Sequence, residues 1–332
     1  MSIATINVKR FSIVGLCMAM LLLVASGCTD NNVHSVENLT PKPTASAEAT
    51  SHQFGIIYPM AHPYYETVTQ AALEEAEKYK TRLIVKAPDE ANLEQQIRMM
   101  ETMIAQDVDG IAIDPIDAEA LIPVIDKAIM AGIPVITFES DSPASKRLAF
   151  IGTDNYKAGE RMGQMVDQLL KGRGMIIVET GITKMRNEQE RLSGMLAYLE
   201  AQTDIQVLEV KYNEGSETVA LTELEAMIDA HPHFDGFVAI DVISGSTSVL
   251  VWKAQGLNRY ALTFGMMPEI AEALRNGQLT AALSQNEHMW GTAIVETLEQ
   301  AASGLEIPNR IETGTSEVTF EDVVDVSPSP SQ

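Results

Sequence analysis

Short apolar runs alternate with longer amphipathic stretches along most of this chain, and no other feature constrains its fold as strongly. Apolar runs of this kind, separated by helical patterns, are typical of βαβ units, in which helices cover both faces of a parallel sheet. The pattern predicts strands over 54–58, 83–86, 110–114 and 134–138, and helices over 64–79, 91–106 and 118–130. It restarts with strands predicted over 174–179, 205–210, 236–240 and 261–264.

The restart of the pattern divides the chain into two similar α/β lobes. A length of 332 residues agrees with this division, because a single hydrophobic core stops growing at about 250–300 residues. In open parallel sheets, ligands bind beyond the carboxyl ends of the strands. Polar residues that directly follow the predicted strands are therefore the first candidates for a site.

The N-terminus has the organisation of a secretory signal. Lys9 and Arg10 precede an apolar run over 11–24, which is followed by small residues and Cys28. A run of about 14 residues is short for a membrane span, which needs about 20. We predict a signal peptide over 1–27, with Cys28 resembling the lipid-modified cysteine of a bacterial lipoprotein, although Ala25 stands where that motif usually has Leu. Ordinary secretion with a free thiol is the alternative.

The mature chain predicted from this cleavage is strongly acidic. The full chain has a formal net charge of −23, and loss of residues 1–27, which carry two basic and no acidic residues, leaves −25. This charge excludes nucleic acid as a partner. Composition predicts a flexible tether over 28–52 and a disordered tail over 327–332. Cys17 lies in the signal peptide, so the mature chain can form no internal disulfide.

Catalytic motifs are missing from the sequence. It contains no Gly-x-Ser-x-Gly elbow, no His-Glu-x-x-His zinc motif and no Walker-type phosphate loop. The pair His231 and His233 precedes a predicted strand and has the character of a loop. We therefore expect a protein that is not an enzyme and that has no cofactor and no metal site.

Several segments resemble the type I periplasmic substrate-binding proteins, the ribose and galactose binders related to the ligand domain of Lac-type repressors. These segments are 60–65 (MAHPYY), 110–115 (GIAIDP), 131–137 (AGIPVIT), 151–155 (IGTDN), 191–194 (RLSG) and 276–285 (NGQLTAALSQ). The resemblance implies two Rossmann-like lobes, a three-segment hinge and a ligand cleft between the lobes. Lobe one is then expected over 53–153 plus 286–314, and lobe two over 154–285 plus 315–326, closed by a strand near 317–320. The repressors carry an N-terminal helix-turn-helix, and in this sequence the predicted signal peptide and tether stand at that position.

The resemblance also implies a set of ligand contacts. Tyr64 and Tyr65 match the aromatics that stack on sugars, and His62 stands where ribose binders have an Asn. Glu139 matches a carboxylate that accepts from hydroxyls, and Arg191 matches the arginine of an Arg-x-x-Gly pattern. Three further candidates are Tyr58 at a strand end, Asn187 one turn before Arg191, and Gln285 at the last hinge segment.

Two positions depart from the family pattern. The Asn-Asp that follows the eighth strand is replaced by Asp241 and Val242, and the Asp of Phe-Asp-Gly is replaced by Gly265. Asp241 is therefore a candidate to supply the missing carboxylate. The departures argue against ribose bound in the standard pose.

The predicted function is ligand capture by hinge closure. We expect an extracytoplasmic monomer, anchored to the membrane through Cys28, that delivers a pentose or hexose to an ABC permease. The alternative is a co-receptor for a sensor kinase or chemoreceptor, with a sugar acid, a polyol or an autoinducer-type furanose as ligand.

Overall fold

The structure is a computed structural model that describes residues 51–324. The predicted signal peptide, Cys28, the tether up to residue 50 and the tail over 327–332 lie outside the described residues. Within the described part of the chain, no helix is both long enough and apolar enough to cross a bilayer.

Twelve strands are described, and they are numbered in chain order. They are β1 (Gln53–Ile57), β2 (Arg82–Lys86), β3 (Gly110–Ile113), β4 (Val135–Phe138), β5 (Ala149–Gly152), β6 (Arg173–Thr180), β7 (Asp204–Tyr212), β8 (Gly236–Ala239), β9 (Tyr260–Phe264), β10 (Ala281–Ser284), β11 (Arg310–Glu312) and β12 (Ser316–Val318).

Ten α-helices separate or follow these strands in the described range. They are α1 (Glu66–Tyr79), α2 (Leu93–Ala105), α3 (Ile122–Met130), α4 (Asn155–Leu170), α5 (Arg186–Gln202), α6 (Glu217–Ala230), α7 (Val242–Gln255), α8 (Pro268–Arg275), α9 (Trp290–Ala302) and α10 (Phe320–Val324). Two short 3-10 helices, Pro63–Tyr65 and Glu287–Met289, lead into α1 and α9.

The strands form two six-stranded sheets, one in each lobe. The order in lobe one is β11-β5-β4-β3-β1-β2, and the order in lobe two is β12-β10-β9-β8-β6-β7. Every pairing is parallel except that of β10 with β12. The prediction of two α/β lobes with parallel sheets is confirmed.

The central strands are apolar because helices cover them from both sides. In lobe one, α1 packs against α9 and α2 packs against α3; in lobe two, α4 packs against α5 and α6 against α7. Strands β3 (GIAI) and β4 (VITF) are buried at every position, as expected for parallel strands between two helix layers. This burial explains why continuous apolar runs marked the strands in the sequence.

Four strand assignments differ from the sequence prediction. Strands β5 and β10 were not among the predicted strands, although the family-like segments 151–155 and 276–285 overlap them. Strand β11 was not predicted, because Arg-Ile-Glu offers one apolar residue and pairs with β5 only at the edge of its sheet. The closing strand was expected to reach residue 320, but β12 ends at Val318 and Phe320 begins α10. Asp322 accepts hydrogen bonds from Thr319, which favours helix initiation at that point.

The chain passes between the two sheets at three places, and the three crossing segments are hydrogen-bonded to one another. Thr153 Oγ1 donates to the Gly314 carbonyl at 2.8 Å, and Asn286 Nδ2 donates to the Thr313 carbonyl at 2.8 Å. Thr313 Oγ1 in turn donates to the Gln285 carbonyl at 3.1 Å. The crossings therefore form one connected unit beside the cleft.

Helices α4 and α5 approach each other at two glycines. A Cβ atom on Gly159 would lie 2.0 Å from the Arg191 carbonyl oxygen, and one on Gly194 would lie 2.0 Å from the Tyr156 carbonyl oxygen. Any larger residue would force the helices apart. Gly194 is the glycine of the Arg-x-x-Gly pattern, and its physical role is to let α5, the helix that carries Arg191, pack closely against α4.

Candidate ligand-binding site

Arg191 lies at the centre of the site and is 2% exposed. Its Nε donates to Asn155 Oδ1 at 2.8 Å, Nη1 donates to the Ile240 carbonyl at 3.3 Å, and Nη2 donates to Gln285 Oε1 at 3.2 Å. The guanidinium also stacks over the Phe264 ring, 3.9 Å from its centroid. Contacts on several sides fix the orientation of the guanidinium.

Gln285 links Arg191 to two residues of lobe one. Its Nε2 donates to the Tyr64 hydroxyl at 3.0 Å and to Glu139 Oε1 at 3.2 Å. Arg191 Nη2 lies 3.6 Å from the same Glu139 oxygen. Four predicted residues, Tyr64, Glu139, Arg191 and Gln285, therefore meet in one buried network that spans the lobes.

Backbone geometry places Glu139 in this network. The residue directly follows β4 and has a φ of 55°, in the left-handed region that a residue with a Cβ rarely adopts. Asn155 Nδ2 donates to its carbonyl oxygen at 3.3 Å. The other carboxylate oxygen of Glu139, Oε2, is buried and has no hydrogen-bond partner among the described residues.

Tyr65 is held beside the network by a second carboxylate. Its hydroxyl donates to Asp114 Oδ2 at 2.9 Å, while the Ser140 backbone amide donates to Asp114 Oδ1 at 3.3 Å. The Tyr58 ring stacks on Tyr65 with 4.3 Å between centroids. Asp114 follows β3, so the two carboxylates of lobe one leave adjacent strands.

A narrow, largely enclosed cavity lies between the lobes at this point, and in this closed form its volume is about 20 Å³, room for about one water molecule. Lobe one lines it with Met60, Tyr65 and Glu139, and lobe two lines it mainly with Gly181, Ile182, Met185, Glu188, Arg191 and Asp241. Because both lobes contribute walls, a ligand can enter only when the lobes separate. Ile182 and Met185 of lobe two share an apolar cluster with Met60 and Leu93 of lobe one, so the lobes are in contact.

Five predicted residues do not line this cavity. Two of them, Tyr64 and Gln285, belong to the buried network described above, and the other three are Tyr58, His62 and Asn187. The Tyr58 hydroxyl is hydrogen-bonded to Thr69 Oγ1 at 2.8 Å, and His62 Nδ1 accepts from the Tyr64 amide at 3.3 Å as the N-cap of the first 3-10 helix. Tyr58 and His62 line an adjacent open pocket, and burial lowers the pKa of His62. Asn187 is buried but does not line the cavity, and its Oδ1 has no partner among the described residues.

Asp241 lines the cavity, but its carboxylate already caps α7. Its Oδ2 accepts from the Ile243 amide at 2.9 Å, and Asn213 Nδ2 lies 3.2 Å from Oδ1 and 3.3 Å from Oδ2. Ser244 donates to it as well, from both its amide and its hydroxyl. Few acceptor positions remain for a ligand, so a role in replacing the carboxylate missing at Gly265 stays a prediction.

Gly265 has a steric reason to be glycine. It has a φ of 81°, and a Cβ atom there would lie 2.6 Å from Val242 Cγ1 and 3.3 Å from Tyr64 Cε2. The two departures from the family pattern, Val242 and Gly265, therefore occupy the same space. An aspartate at 265 cannot be restored without a change at 242.

Sequence reasoning missed Glu188 and the apolar residues beside it. Glu188 lies on α5 three residues before Arg191, so helical spacing placed it on the same face. Its role escaped notice because a glutamate in the first turn of a helix is ordinarily a solvated partner of the helix dipole. Gly215, Val242 and Ile243 also line the cavity and were not predicted.

Burial raises the pKa of four carboxyl groups in this region. The pKa of Asp114 is raised well above its usual range by burial and then by the charge of Glu139. That of Glu139 is raised by burial, which the nearby Arg191 opposes. Burial followed by the charge of Asp241 raises the pKa of Glu188 well above its usual range, and burial raises that of Asp241. Burial therefore disfavours the ionised form of each group, and the Arg191 charge at Glu139 and the hydrogen-bond donors at Asp241 oppose this effect.

The site therefore combines one oriented guanidinium, one amide, two tyrosines and several carboxyl groups in a closed space. Such a set offers both donors and acceptors to a polyhydroxylated molecule, with an aromatic wall beside them. Among residues 51–324, no group of three or more His, Cys, Asp or Glu side chains has the arrangement of a metal site.

Comparison with protein families decides the relationship. A family model described as a periplasmic binding protein domain matches residues 55–306. The chain belongs to this family of periplasmic binding proteins. The resemblance found in the sequence is thus confirmed.

Named members of the family include sugar-binding proteins. The chain is 22% identical over 273 residues to the ribose import binding protein RbsB of Bacillus subtilis, covering 81% of this chain and 88% of that protein. It is 26% identical over 205 residues to a D-ribose/D-allose-binding protein of Pseudomonas aeruginosa, covering 59% and 64%. These relatives are binding proteins rather than enzymes, as the sequence predicted for this chain.

A solved structure of the family superposes well on this periplasmic binding protein. An ABC transporter solute-binding protein from Burkholderia graminis, in complex with D-arabinose, has a TM-score of 0.79 and 26% sequence identity. The match covers 83% of this chain and 98% of the other. The likeness extends over both lobes, which agrees with the fold described above.

Proposed function

We propose that this protein is an extracytoplasmic solute-binding protein that captures a small carbohydrate by closing its two lobes. The observation that carries the proposal is the buried network in which Arg191 and Gln285 meet Tyr64 and Glu139 across the cleft. A ligand that joins these groups makes contacts with both lobes only in the closed form. Binding therefore favours closure, by the difference in contacts between the two forms.

The chemistry of the walls supports a carbohydrate. Tyr65 presents an aromatic ring at the cavity, and Glu139, Arg191 and Gln285 supply planar polar groups that pair with hydroxyls. Named relatives bind ribose, and the Burkholderia structure holds D-arabinose. Because Gly265 lacks the family carboxylate, we expect a ligand other than ribose in the standard pose.

Delivery to an ABC permease is the second part of the proposal. It is supported by the transport names of the relatives, including an import binding protein and a transporter solute-binding protein. In this role the closed form, as a monomer, docks on the permease. Uptake of the radiolabelled ligand by cells with and without the protein tests this part, and equal uptake by both cell types would contradict it.

The third part is a lipid anchor on Cys28, which would hold the protein at the outer face of the membrane. Its support is the position of Cys28 after a basic pair, an apolar run and three small residues. Labelling of cells with a fatty-acid analogue should mark the wild-type protein and leave a Cys28→Ser variant unmarked. Equal labelling of both proteins would refute the anchor.

A thermal-shift screen tests ligand capture directly. The purified protein is screened against pentoses, hexoses, polyols and sugar acids, since a ligand at 100 times its Kd stabilises by about 2.7 kcal/mol. We expect a carbohydrate to raise the Tm of the wild type and not that of Arg191→Ala. Arg173→Ala is the matched control, because Arg173 is exposed at the start of β6.

A further inference from the structure

The side chains that line the cavity are unbalanced in charge. Three carboxyl groups, those of Glu139, Glu188 and Asp241, line it. Among the described lining residues, Arg191 alone is basic. Charges removed from water need a partner or must be neutralised by protonation. Which carboxyl lacks a partner therefore bears on what the cavity can bind.

Two of the three carboxyl groups have compensating neighbours. Glu139 Oε1 lies 3.6 Å from Arg191 Nη2 and accepts from Gln285 Nε2 at 3.2 Å. Asp241 sits at the N-terminus of α7 and accepts from the Ile243 and Ser244 amides and from Asn213. A helix N-terminus and several donors stabilise a carboxylate without a full counter-charge.

Glu188 has less compensation: it lies in the first turn of α5, and the one backbone donor that acts on it is the Ile182 amide. Its side chain is buried, with 9% of the residue exposed, and Oε2 has no hydrogen-bond partner among the described residues. The charged groups that act on it are Asp241 and Glu139, which raise its pKa, and Arg191, which lowers it. Arg191 is already committed to Glu139 and Gln285. A buried oxygen at the cavity wall is therefore left without a donor.

The Glu188 carboxyl group occupies space that is free only because residue 181 is a glycine. A Cβ atom on Gly181 would lie 2.6 Å from Glu188 Oε2 and 2.7 Å from Oε1. Gly181, like Glu188, lines the cavity. The glycine thus lets the carboxyl group lie against the backbone at the edge of the cavity, where Oε2 is covered in this closed form.

We propose that the ligand is an amino sugar with a free ammonium group, and that Glu188 receives this ammonium. This inference rests on the proposed capture of a carbohydrate and specifies its class. An ammonium group has three donors and a unit positive charge. It supplies both the hydrogen bond and the counter-charge that Glu188 lacks, while the hydroxyls of the same ligand meet Arg191 and Glu139.

Binding of an ammonium then releases a proton. In the free protein, burial raises the pKa of the Glu188 carboxyl well above its usual range, which favours the neutral form. When the ammonium binds, the carboxyl ionises and its proton passes to the buffer, so that one ion pair replaces one neutral acid. A neutral sugar gives no such release, because it brings no charge to stabilise the ionised form.

Sugars that differ only in the amino group distinguish binding of an ammonium from binding of a neutral sugar. Calorimetry at pH 7 compares glucose, galactose and mannose with their 2-amino derivatives and with the N-acetylated forms, which keep the substituent but lose its charge. We expect at least one hexosamine to bind at least about tenfold more tightly than its parent hexose and its N-acetyl form. Repeating the titration in phosphate and in Tris should change the observed enthalpy, since the buffer takes up the released proton.

Two variants test whether Glu188 is the residue that favours hexosamines. Glu188→Gln keeps the shape of the side chain and should lower hexosamine affinity by a factor at least about ten times larger than any change in affinity for the parent hexose. Glu200→Gln, an equal change of charge at an exposed position of the same helix, should change neither affinity. The Tm of Glu188→Gln checks its fold, and the buffer experiment on the wild type needs no variant.

The outcomes distinguish this inference from the proposed function. If a neutral pentose or hexose binds more tightly than every amine, ligand capture stands and the role of Glu188 is refuted. Hexosamine binding without proton release, or unchanged in Glu188→Gln, also refutes it. If no carbohydrate binds, charged or neutral, the proposed function itself fails.

Discussion

Arg191 of lobe two and Glu139 of lobe one lie 3.6 Å apart, between Nη2 and Oε1, in the buried interior of the cleft. Glu139 follows β4 of lobe one and Arg191 lies on α5 of lobe two. The two side chains are therefore in contact only while the lobes are closed. Gln285, in a crossing segment, contacts both residues. The hinge and the two walls of the cleft are thus connected by one polar network.

Replacing Arg191 with Ala should impair both binding and stability. Glu139 then keeps a buried carboxylate without a cation, and breaking a buried pair on one side costs about 3–5 kcal/mol. Urea unfolding of the purified variant measures the loss. The double variant Arg191→Ala with Glu139→Gln should be more stable than the single variant, because the uncompensated charge is gone. Equal stability of the single variant and the wild type would contradict this account of the pair.

Gly194→Ala should weaken ligand binding although Gly194 does not line the cavity. The added methyl group meets the Tyr156 carbonyl oxygen and forces α4 and α5 apart. Arg191, which lies one helical turn from Gly194, is displaced as a result. We expect a loss of stability of about 1–3 kcal/mol, as for other overpacked sites, together with a raised Kd. Gly236→Ala is the control, since a Cβ there would make only ordinary contacts, the nearest at 3.4 Å. Unchanged affinity in a folded Gly194→Ala variant would show that helix spacing does not position Arg191.

Val242 and Gly265 should be coupled. Gly265→Ala places a Cβ 2.6 Å from Val242 Cγ1 at a φ of 81°, so we expect destabilisation of about 1–3 kcal/mol. Val242→Ala removes the clash but leaves the backbone strain, so the double variant should recover part of the loss. A double-mutant cycle from urea unfolding measures this coupling. Purely additive effects would contradict the shared space.

Glu179 should make stability depend on pH. It is fully buried, neither carboxyl oxygen has a hydrogen-bond partner among the described residues, and burial followed by the charge of Asp241 raises its pKa to about 9. Its pKa in the unfolded chain is near 4.5. Between these values the folded state holds a proton that the unfolded state has released, so stability from this group falls as the pH rises.

The variant Glu179→Gln removes that proton difference. Between pH 6 and pH 8 the free energy of unfolding should fall less steeply than in the wild type, by up to about 1.4 kcal/mol per pH unit. Urea unfolding at pH 6, 7 and 8 measures both slopes. Glu200→Gln should keep the wild-type slope. Identical slopes for Glu179→Gln and the wild type would show that Glu179 is ionised in the folded protein.

The sequence predicted the two lobes because buried parallel strands must be apolar at every position, as in β3 and β4. It predicted Arg191, Glu139, Tyr64 and Gln285 as a group only through a family resemblance, since these residues are far apart in the chain. Tyr64 and Gln285, which are hydrogen-bonded, are 221 positions apart. No local pattern records such a contact.

The rest of the site depends on tertiary contacts that local patterns do not carry. Glu188 has the sequence context of a surface glutamate, and only the position of Gly181 and the cavity shows that it is buried. His62 stays a predicted ligand contact, and only the structure shows that its ring also caps the 3-10 helix that precedes α1. In both cases the packing of a neighbouring segment decides the role of the side chain.

Closure of the cleft around a ligand is the central claim, and the distance across its mouth tests it most directly. Glu119 of lobe one and Lys184 of lobe two are exposed and line one pocket that spans the two lobes. Spin labels on cysteines at these two positions, with Cys17 and Cys28 replaced by serine, report the separation of the lobes. The carbohydrate with the largest thermal shift should shorten and narrow the distance distribution in the wild-type background, and should leave it unchanged with Arg191→Ala. A distribution that stays the same at saturating ligand would contradict capture by hinge closure.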